Sequence, residues 1–193
     1  MAKPDPRGRS GQLRIIGGTW RGRKLRFYTG PGLRPTGDRI RETLFNWLSP
    51  VIHDARCLDL FAGSGALGLE ALSRGAAHCD FVDSSKRAAA QIGAHLQALQ
   101  ASAAGTCHNQ AADAFLRTAT GPYDVVFIDP PFESSLAPAA CAALVDRALL
   151  APGAMVYLET SAAAERPAVP ANWQLHREKT SGGVAFALFI ARD

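Results

Sequence analysis

Apolar and polar positions alternate along Leu13-Arg14-Ile15-Ile16 and again along Lys24-Leu25-Arg26-Phe27-Tyr28, with Gly17-Gly18-Thr19-Trp20-Arg21-Gly22 between them. A period of two interrupted by glycine predicts a β-hairpin with a glycine-rich loop and its arginines along one face. The period then changes. Ile40, Leu44, Phe45 and Leu48 recur at helical spacing and predict a helix over 37–48, with Thr36 as its cap and Pro50 past its end. From Ala55 onward short apolar runs alternate with helical ones. Runs at 56–61, 78–83, 105–109, 123–129, 153–159, 173–178 and 184–190 read as strands; 65–74, 85–101, 111–119 and 137–149 read as helices. Such alternation predicts an α/β fold with a parallel sheet covered on both faces. Only Thr180-Ser181-Gly182-Gly183 separates the last two strands, which are expected to form an antiparallel hairpin at the sheet's edge. Three segments follow: a disordered basic tail over 1–11, a hairpin and helix over 12–53, and an α/β body over 54–193.

The 193 residues suffice for a single core, and 47% hydrophobic with 20% charged residues excludes a disordered or collagen-like chain. No apolar run approaches the ~20 residues of a membrane span, and no apolar stretch follows Met1–Ser10, so a cytoplasmic protein is expected. Charge changes the picture more. Residues 1–50 hold 11 Lys/Arg against 3 acids, whereas the rest hold 10 against 14, so the net +4 divides into +8 and −4. A basic first quarter suits a polyanionic partner, and a solvated, solubilising segment accounts for it equally. Arginine outnumbers lysine there by nine to two, which favours phosphate, whose oxygens match the guanidinium fork. Cys57, Cys79, Cys107 and Cys141 form no CxxC, and no histidine pair has ligand spacing, so no metal site is expected.

Three stretches carry chemistry. The first is Leu58-Asp59-Leu60-Phe61-Ala62-Gly63-Ser64-Gly65-Ala66-Leu67-Gly68, where a strand turns into a helix. Its glycines let the backbone approach a ligand, and the helix start offers unpaired N–H groups. The string also satisfies G-x-G-x-x-G, so a dinucleotide must be weighed. Asp59, four residues before the first glycine, would repel a pyrophosphate and suits a cationic head such as the amino group of a methionine moiety. The second is Asp83, 24 residues after Asp59 and closing the next strand, where an acid can accept both ribose hydroxyls of a nucleoside. Asp113, after the third strand, can receive an adenine amino group or cap the helix that follows. The third is Asp129-Pro130-Pro131-Phe132, after the apolar strand Val125-Val126-Phe127-Ile128. The prolines fix the backbone and leave a carbonyl free to face a ligand. A carboxylate, a carbonyl and an aromatic ring together suit a planar ring bearing an NH₂.

With these residues the chain resembles the class I S-adenosylmethionine-dependent methyltransferases carrying a (D/N)PP(F/Y) signature. More narrowly it resembles the RsmD family of bacterial 16S rRNA guanine-N2 methyltransferases. The narrowing matches are Arg14-Ile15-Ile16-Gly17-Gly18, Arg21-Gly22-Arg23-Lys24-Leu25, Arg34-Pro35-Thr36, Asp38-Arg39-Ile40-Arg41-Glu42 and Leu44-Phe45-Asn46, beside Asp59 to Glu70 and Asp129 to Phe132. Asp83 departs from the family, which more often has Glu there.

The resemblance implies a Rossmann-like fold, with a seven-stranded, mostly parallel sheet and an antiparallel edge strand. It implies methyl transfer from S-adenosylmethionine, with S-adenosylhomocysteine as product, to a guanine N2 amine in 16S rRNA, in an assembled or assembling 30S particle, by a monomer without metal. Implied cofactor contacts are Asp59, Phe61, Ala62, Gly63, Ser64, Gly65, Asp83, Ser84, Asp113 and Ala114. Asp129, Pro130, Pro131 and Phe132 would meet the base, and Arg14, Arg21, Arg23, Lys24, Arg26, Arg34, Thr36, Arg39 and Arg41 the RNA. Amino methylation of adenine in DNA or of a protein glutamine usually pairs with Asn at the position of Asp129. A non-catalytic RNA-binding assembly factor would be expected to lack an intact glycine turn or DPPF. A nicotinamide oxidoreductase is the remaining alternative.

Overall fold

A computed structural model describes residues 10–28, 36–131 and 135–192. Two short strands, β1 (Ser10–Arg14) and β2 (Lys24–Tyr28), pair antiparallel with Leu13 opposite Leu25. Leu13, Ile15, Leu25 and Phe27 are buried while Gln12, Arg14, Lys24 and Arg26 are exposed, as the alternation predicts. Ser10 and Gly11 belong to β1, which corrects the expected tail 1–11: the ladder with Phe27 and Tyr28 already holds them. Residues 1–9 of that tail lie outside the described residues.

Helix α1 (Asp38–Leu48) follows and buries Leu44, Phe45 and Leu48. Its cap is Gly37, with no side-chain capping bond, so Thr36 does not have the role expected of it. The body then runs β3 (Arg56–Asp59), α2 (Ala66–Ser73), β4 (His78–Asp83), α3 (Lys86–Ala98), β5 (Gly105–Asn109), α4 (Ala112–Thr118), β6 (Tyr123–Ile128), α5 (Leu136–Asp146), β7 (Leu150–Ser161), β8 (Trp173–Ser181) and β9 (Val184–Ala191). Strands β7 and β8 run longer than their apolar cores, because ladder pairing with β9 continues through Thr160, Ser161, Thr180 and Ser181.

The seven-stranded sheet has the order β5-β4-β3-β6-β7-β9-β8. Strands β3 to β7 pair parallel, and β9 pairs antiparallel with β7 on one side and β8 on the other. The strand that runs against the rest is therefore one place in from the edge. Alternate strand residues face opposite layers. Cys57, Phe81, Val125, Phe127 and Tyr157 pack with α1, α2, α3 and the hairpin, whereas Leu58, Val82, Val126, Ile128 and Leu158 pack with α4 and α5.

Segments 12–53 and 54–193 share one core. Phe45 lies 5.9 Å from Phe127 and Trp47 lies 5.4 Å from Phe186, centroid to centroid. At Gly18 (φ 74°) a Cβ would sit 1.7 Å from the Ser73 carbonyl oxygen, so only glycine lets the hairpin loop seat on the end of α2. The electrostatic clasp between them is Glu70. Its carboxylate accepts the N–H groups of Ile16 (2.9 Å) and Gly17 (2.8 Å) and pairs with Arg41 (3.3 Å) and Arg74 (2.8 Å). Because α1 and the hairpin are fastened to the body in this way, Thr36 and Gly37, just before α1, are held at the cleft beyond the carboxyl ends of the strands.

Candidate active site

Strand order reverses between β3 and β6, and at such a switch point a doubly wound sheet leaves a crevice beyond the carboxyl ends of its strands. A cleft of about 1160 Å³ lies there, and Asp59, Asp83, Asp129 and Glu159, which close or follow four strands or lie in their last turn of ladder, line it together. Among the described residues no helix is long and apolar enough to cross a membrane, and no cluster of three or more His, Cys, Asp and Glu suits a metal.

Asp59 is only 2% exposed, and its Oδ2 accepts the Gly68 N–H (3.0 Å). Burial pushes its carboxyl up to about 7; the Gly68 bond opposes this, and the charge of Asp83 adds to it. A buried acid so poised gains most from a cation, so the methionine amino group of S-adenosylmethionine fits it. Gly63 and Gly65 have φ of 52° and 78°, and Gly65 caps α2. The turn they make points its backbone at Asp83, whose Oδ2 accepts the Gly63 N–H and Oδ1 the Ser85 N–H, both at 2.8 Å. Each oxygen keeps a second lone pair, the acceptor pair that two ribose hydroxyls require. Phe61, Ala62, Gly63, Ser64 and Ser84 line the same cleft, whereas Gly65 and Ala114 do not: Gly65 acts through the turn and Ala114 lies within α4. Asp113 lines the cleft from an exposed position. Arg117, which bonds it at 2.9 Å, holds its carboxyl below the usual range. Asp113 lies in the first turn of α4, whose N-cap is Ala111, and the Ala114 N–H adds to the lowering.

Asp129 follows β6 and faces the cleft with Pro130 and Pro131. Its Oδ2 accepts the Thr36 hydroxyl (3.2 Å). Burial first, then the charges of Glu159 and Asp59, push its carboxyl well up, while the Thr36 bond pulls the other way. Phe132 lies outside the described residues, as does Arg34.

Glu159 is not among the residues that sequence reasoning singles out. It is 4% exposed, and its Oε2 accepts the Tyr157 hydroxyl (2.7 Å). Burial raises its carboxyl too, against bonds from Tyr157 and Thr36. The signal was available: an acid closes the apolar run Met155-Val156-Tyr157-Leu158, the pattern that marks Asp59 and Asp83.

Two of the residues expected to meet RNA do other work. Arg41 is 1% exposed; it bonds the carbonyls of Thr36 (3.2 Å) and Arg14 (2.9 Å) and pairs with Asp38 (2.6 Å) and Glu70. Burial and these four partners leave its guanidinium no face for a phosphate, which corrects that expectation. Thr36 is buried, lines the cleft and turns its hydroxyl to Asp129, so it is placed at the base side of the cleft rather than on the exposed basic face. Arg14, Arg21, Arg23, Lys24, Arg26 and Arg39 are exposed. Arg14 pairs with Asp38 (3.0 Å), Arg23 bonds the Ala98 carbonyl (3.3 Å), and Arg39 lines the cleft.

Known proteins resemble the chain throughout its length. The family model described as conserved hypothetical protein 95 matches residues 13–190. Ribosomal RNA small subunit methyltransferase D of Escherichia coli K12 is 51% identical over 98% of this chain and 94% of its own length. The protein of the same name from Haemophilus influenzae is 46% identical, covering 98% and 99%. A solved Escherichia coli structure named as a methyltransferase aligns with a TM-score of 0.86 at 47% identity, covering 94% of this chain and 99% of that one. An RNA methyltransferase from Salinibacter ruber, solved with S-adenosyl-L-homocysteine, shares the fold at 14% identity and a TM-score of 0.63, covering 83% and 95%. The chain belongs to the RsmD family of ribosomal RNA small subunit methyltransferases, the family of that model.

Proposed function

We propose that this protein transfers a methyl group from S-adenosylmethionine to the exocyclic N2 amine of a guanine in 16S rRNA, within an assembled or assembling 30S particle. The observation that carries the reading is the meeting of Asp59, the glycine turn, Asp83 and Asp129-Pro130 in one cleft. S-adenosylmethionine supplies a methyl group activated by its sulfonium. Asp59 holds the amino group, Asp83 holds the ribose, and Asp113 lies within reach of the adenine end. Asp129 and the Pro130 carbonyl accept the two N–H bonds of the target amine. That favours a pyramidal nitrogen, frees its lone pair from the ring, and stabilises the positive charge that develops on it. No covalent enzyme intermediate is required. Incubating the protein with labelled S-adenosylmethionine and unmethylated 30S particles, then analysing nucleosides, should yield N2-methylguanosine. Label in adenosine, or none in RNA at all, overturns the reading.

Asp83→Ala should weaken S-adenosylmethionine binding by roughly 1.5–3 kcal/mol, the scale of hydrogen bonds to a charged acceptor. The two N–H groups of Gly63 and Ser85 lose their acceptor together with the ribose. Titration calorimetry giving the wild-type affinity would remove Asp83 from the cofactor site.

The exposed face of the hairpin is proposed to grip the RNA backbone, leaving base selection to the cleft. Replacing Arg21, Arg23 and Lys24 together by alanine should weaken RNA binding and flatten its log–log salt slope by roughly two, at about 0.7 per phosphate contact on single strands. S-adenosylmethionine affinity should hold, because these residues are absent from the cleft lining. An unchanged slope would make the basic face a solubilising one.

A further inference from the structure

We propose that Glu159 reads the target base: its carboxylate accepts the N1–H of guanine beside the N2 amine received by Asp129, and so separates guanine from purines whose N1 carries no hydrogen. The inference rests on the guanine reading above and deepens it.

The placement follows from the sheet. Ile128 and Leu158 are register partners in β6 and β7, so the next residues, Asp129 and Glu159, emerge side by side at the same rim. Both line the cleft, and the Thr36 hydroxyl bonds Asp129 Oδ2 at 3.2 Å. A hydroxyl has one hydrogen to give, so Asp129 receives one bond from Thr36 and Glu159 one from Tyr157, and each carboxylate keeps an oxygen free to accept. Among the described residues no ion pair reaches either of them. A half-satisfied acid pair of this kind, Glu159 buried and Asp129 half-buried, is matched by a ligand that brings two adjacent N–H donors.

The Watson–Crick edge of guanine is such a ligand, with N1–H and N2–H₂ next to each other. Adenine turns an N1 lone pair to the same place, against a carboxylate. Tyr157 supports the reading from below: its hydroxyl bonds Glu159 Oε2 at 2.7 Å and fixes the plane of the carboxylate. Burial of Glu159 within the rim makes a mismatch costly, because an acceptor with no donor cannot turn to water.

The test uses 2-aminopurine, which keeps the 2-amino group and lacks N1–H. 16S rRNA joined from a synthetic segment, with guanine or 2-aminopurine at the methylated position, is reconstituted into 30S particles. Single-turnover kcat/KM is then measured for each. Wild-type protein should favour guanine by roughly a hundredfold or more, the discrimination of a site that loses a designed hydrogen bond. Glu159→Gln, whose amide presents either a donor or an acceptor to N1, should lower that ratio by at least about tenfold at unchanged S-adenosylmethionine affinity.

A wild-type protein indifferent to the substitution, or an amide variant that keeps the wild-type ratio, overturns the assignment. So does a variant inactive on both particles with normal cofactor affinity, because the amide still offers an acceptor. Should Glu159→Gln lose cofactor affinity as well, Glu159→Asp takes its place with the same ratio as readout. Failure of wild-type protein to methylate the guanine particle is a separate result, and it removes the guanine reading itself.

Discussion

Asp129→Ala should lower methyl transfer by at least about a hundred- to a thousandfold, the cost of removing one preorganised partner of a charge that develops in the transition state. Asp129 stands on the β6 side of the cleft, apart from the glycine turn and Asp83, so S-adenosylmethionine should bind the variant nearly as it binds the wild type. Asp129→Asn should keep part of the activity, because an amide oxygen still accepts one N–H bond but brings no charge to it. The setting sharpens the contrast. Burial and the neighbouring carboxylates press Asp129 toward its neutral form, and the amine N–H it accepts favours its charged form. Single-turnover methylation with RNA saturating and calorimetry of the cofactor separate the two effects. Near-normal turnover of the alanine variant would exclude the carboxylate from the reaction.

Glu70→Ala should cost about 3–5 kcal/mol of stability, because it removes the buried carboxylate facing a buried guanidinium and the acceptor of two backbone N–H groups. Glu70 is wholly buried at the point where hairpin, α1 and α2 meet. Its loss leaves Arg41 with Asp38 as its ion-pair partner and leaves the N–H groups of Ile16 and Gly17 without their acceptor. Against a domain stability of typically 5–15 kcal/mol, that loss takes a large share. Glu70→Gln should fall between the two, since its amide oxygen accepts one N–H but does not neutralise Arg41. Urea unfolding followed by circular dichroism reports the difference. A loss under about 1 kcal/mol would mean that the clasp relaxes into solvent, in contrast to what its burial requires.

The contrast between Arg39 and Arg41 shows where sequence reasoning stops. Periodicity placed α1 to within a residue at its start, because Ile40, Leu44, Phe45 and Leu48 bury one stripe. Both arginines then read as solvent charges, and only packing distinguishes them: Arg41 falls on the buried stripe opposite Glu70, a residue 29 positions away. Thr36 read as a cap by its local position, yet its hydroxyl turns to Asp129, 93 positions on. The strand-end acids Asp59, Asp83 and Asp129 were legible because each sits beside glycine or proline or closes a strand one unit after such a turn. Glu159 has no such neighbour, and its significance comes from strand order, which puts β7 beside β6. Local pattern thus gave the elements and the cofactor side of the cleft; the base side depends on long-range partners.

The position of β9 bears on how the protein is made. Among the described residues β8 pairs only with β9, and β9 alone joins it to β7. During synthesis β8 therefore emerges with no partner, beside a β7 whose outer edge is open. Until Val184–Ala191 leave the ribosome, both strands present unpaired backbone, the template on which sheets of different chains associate. The eight-residue β9 then closes two edges in one event and brings the Ser181–Val184 turn to the rim of the cleft. Anything that keeps β9 out of the sheet therefore frees β8 as well, and two strands of seven lose their backbone partners at once.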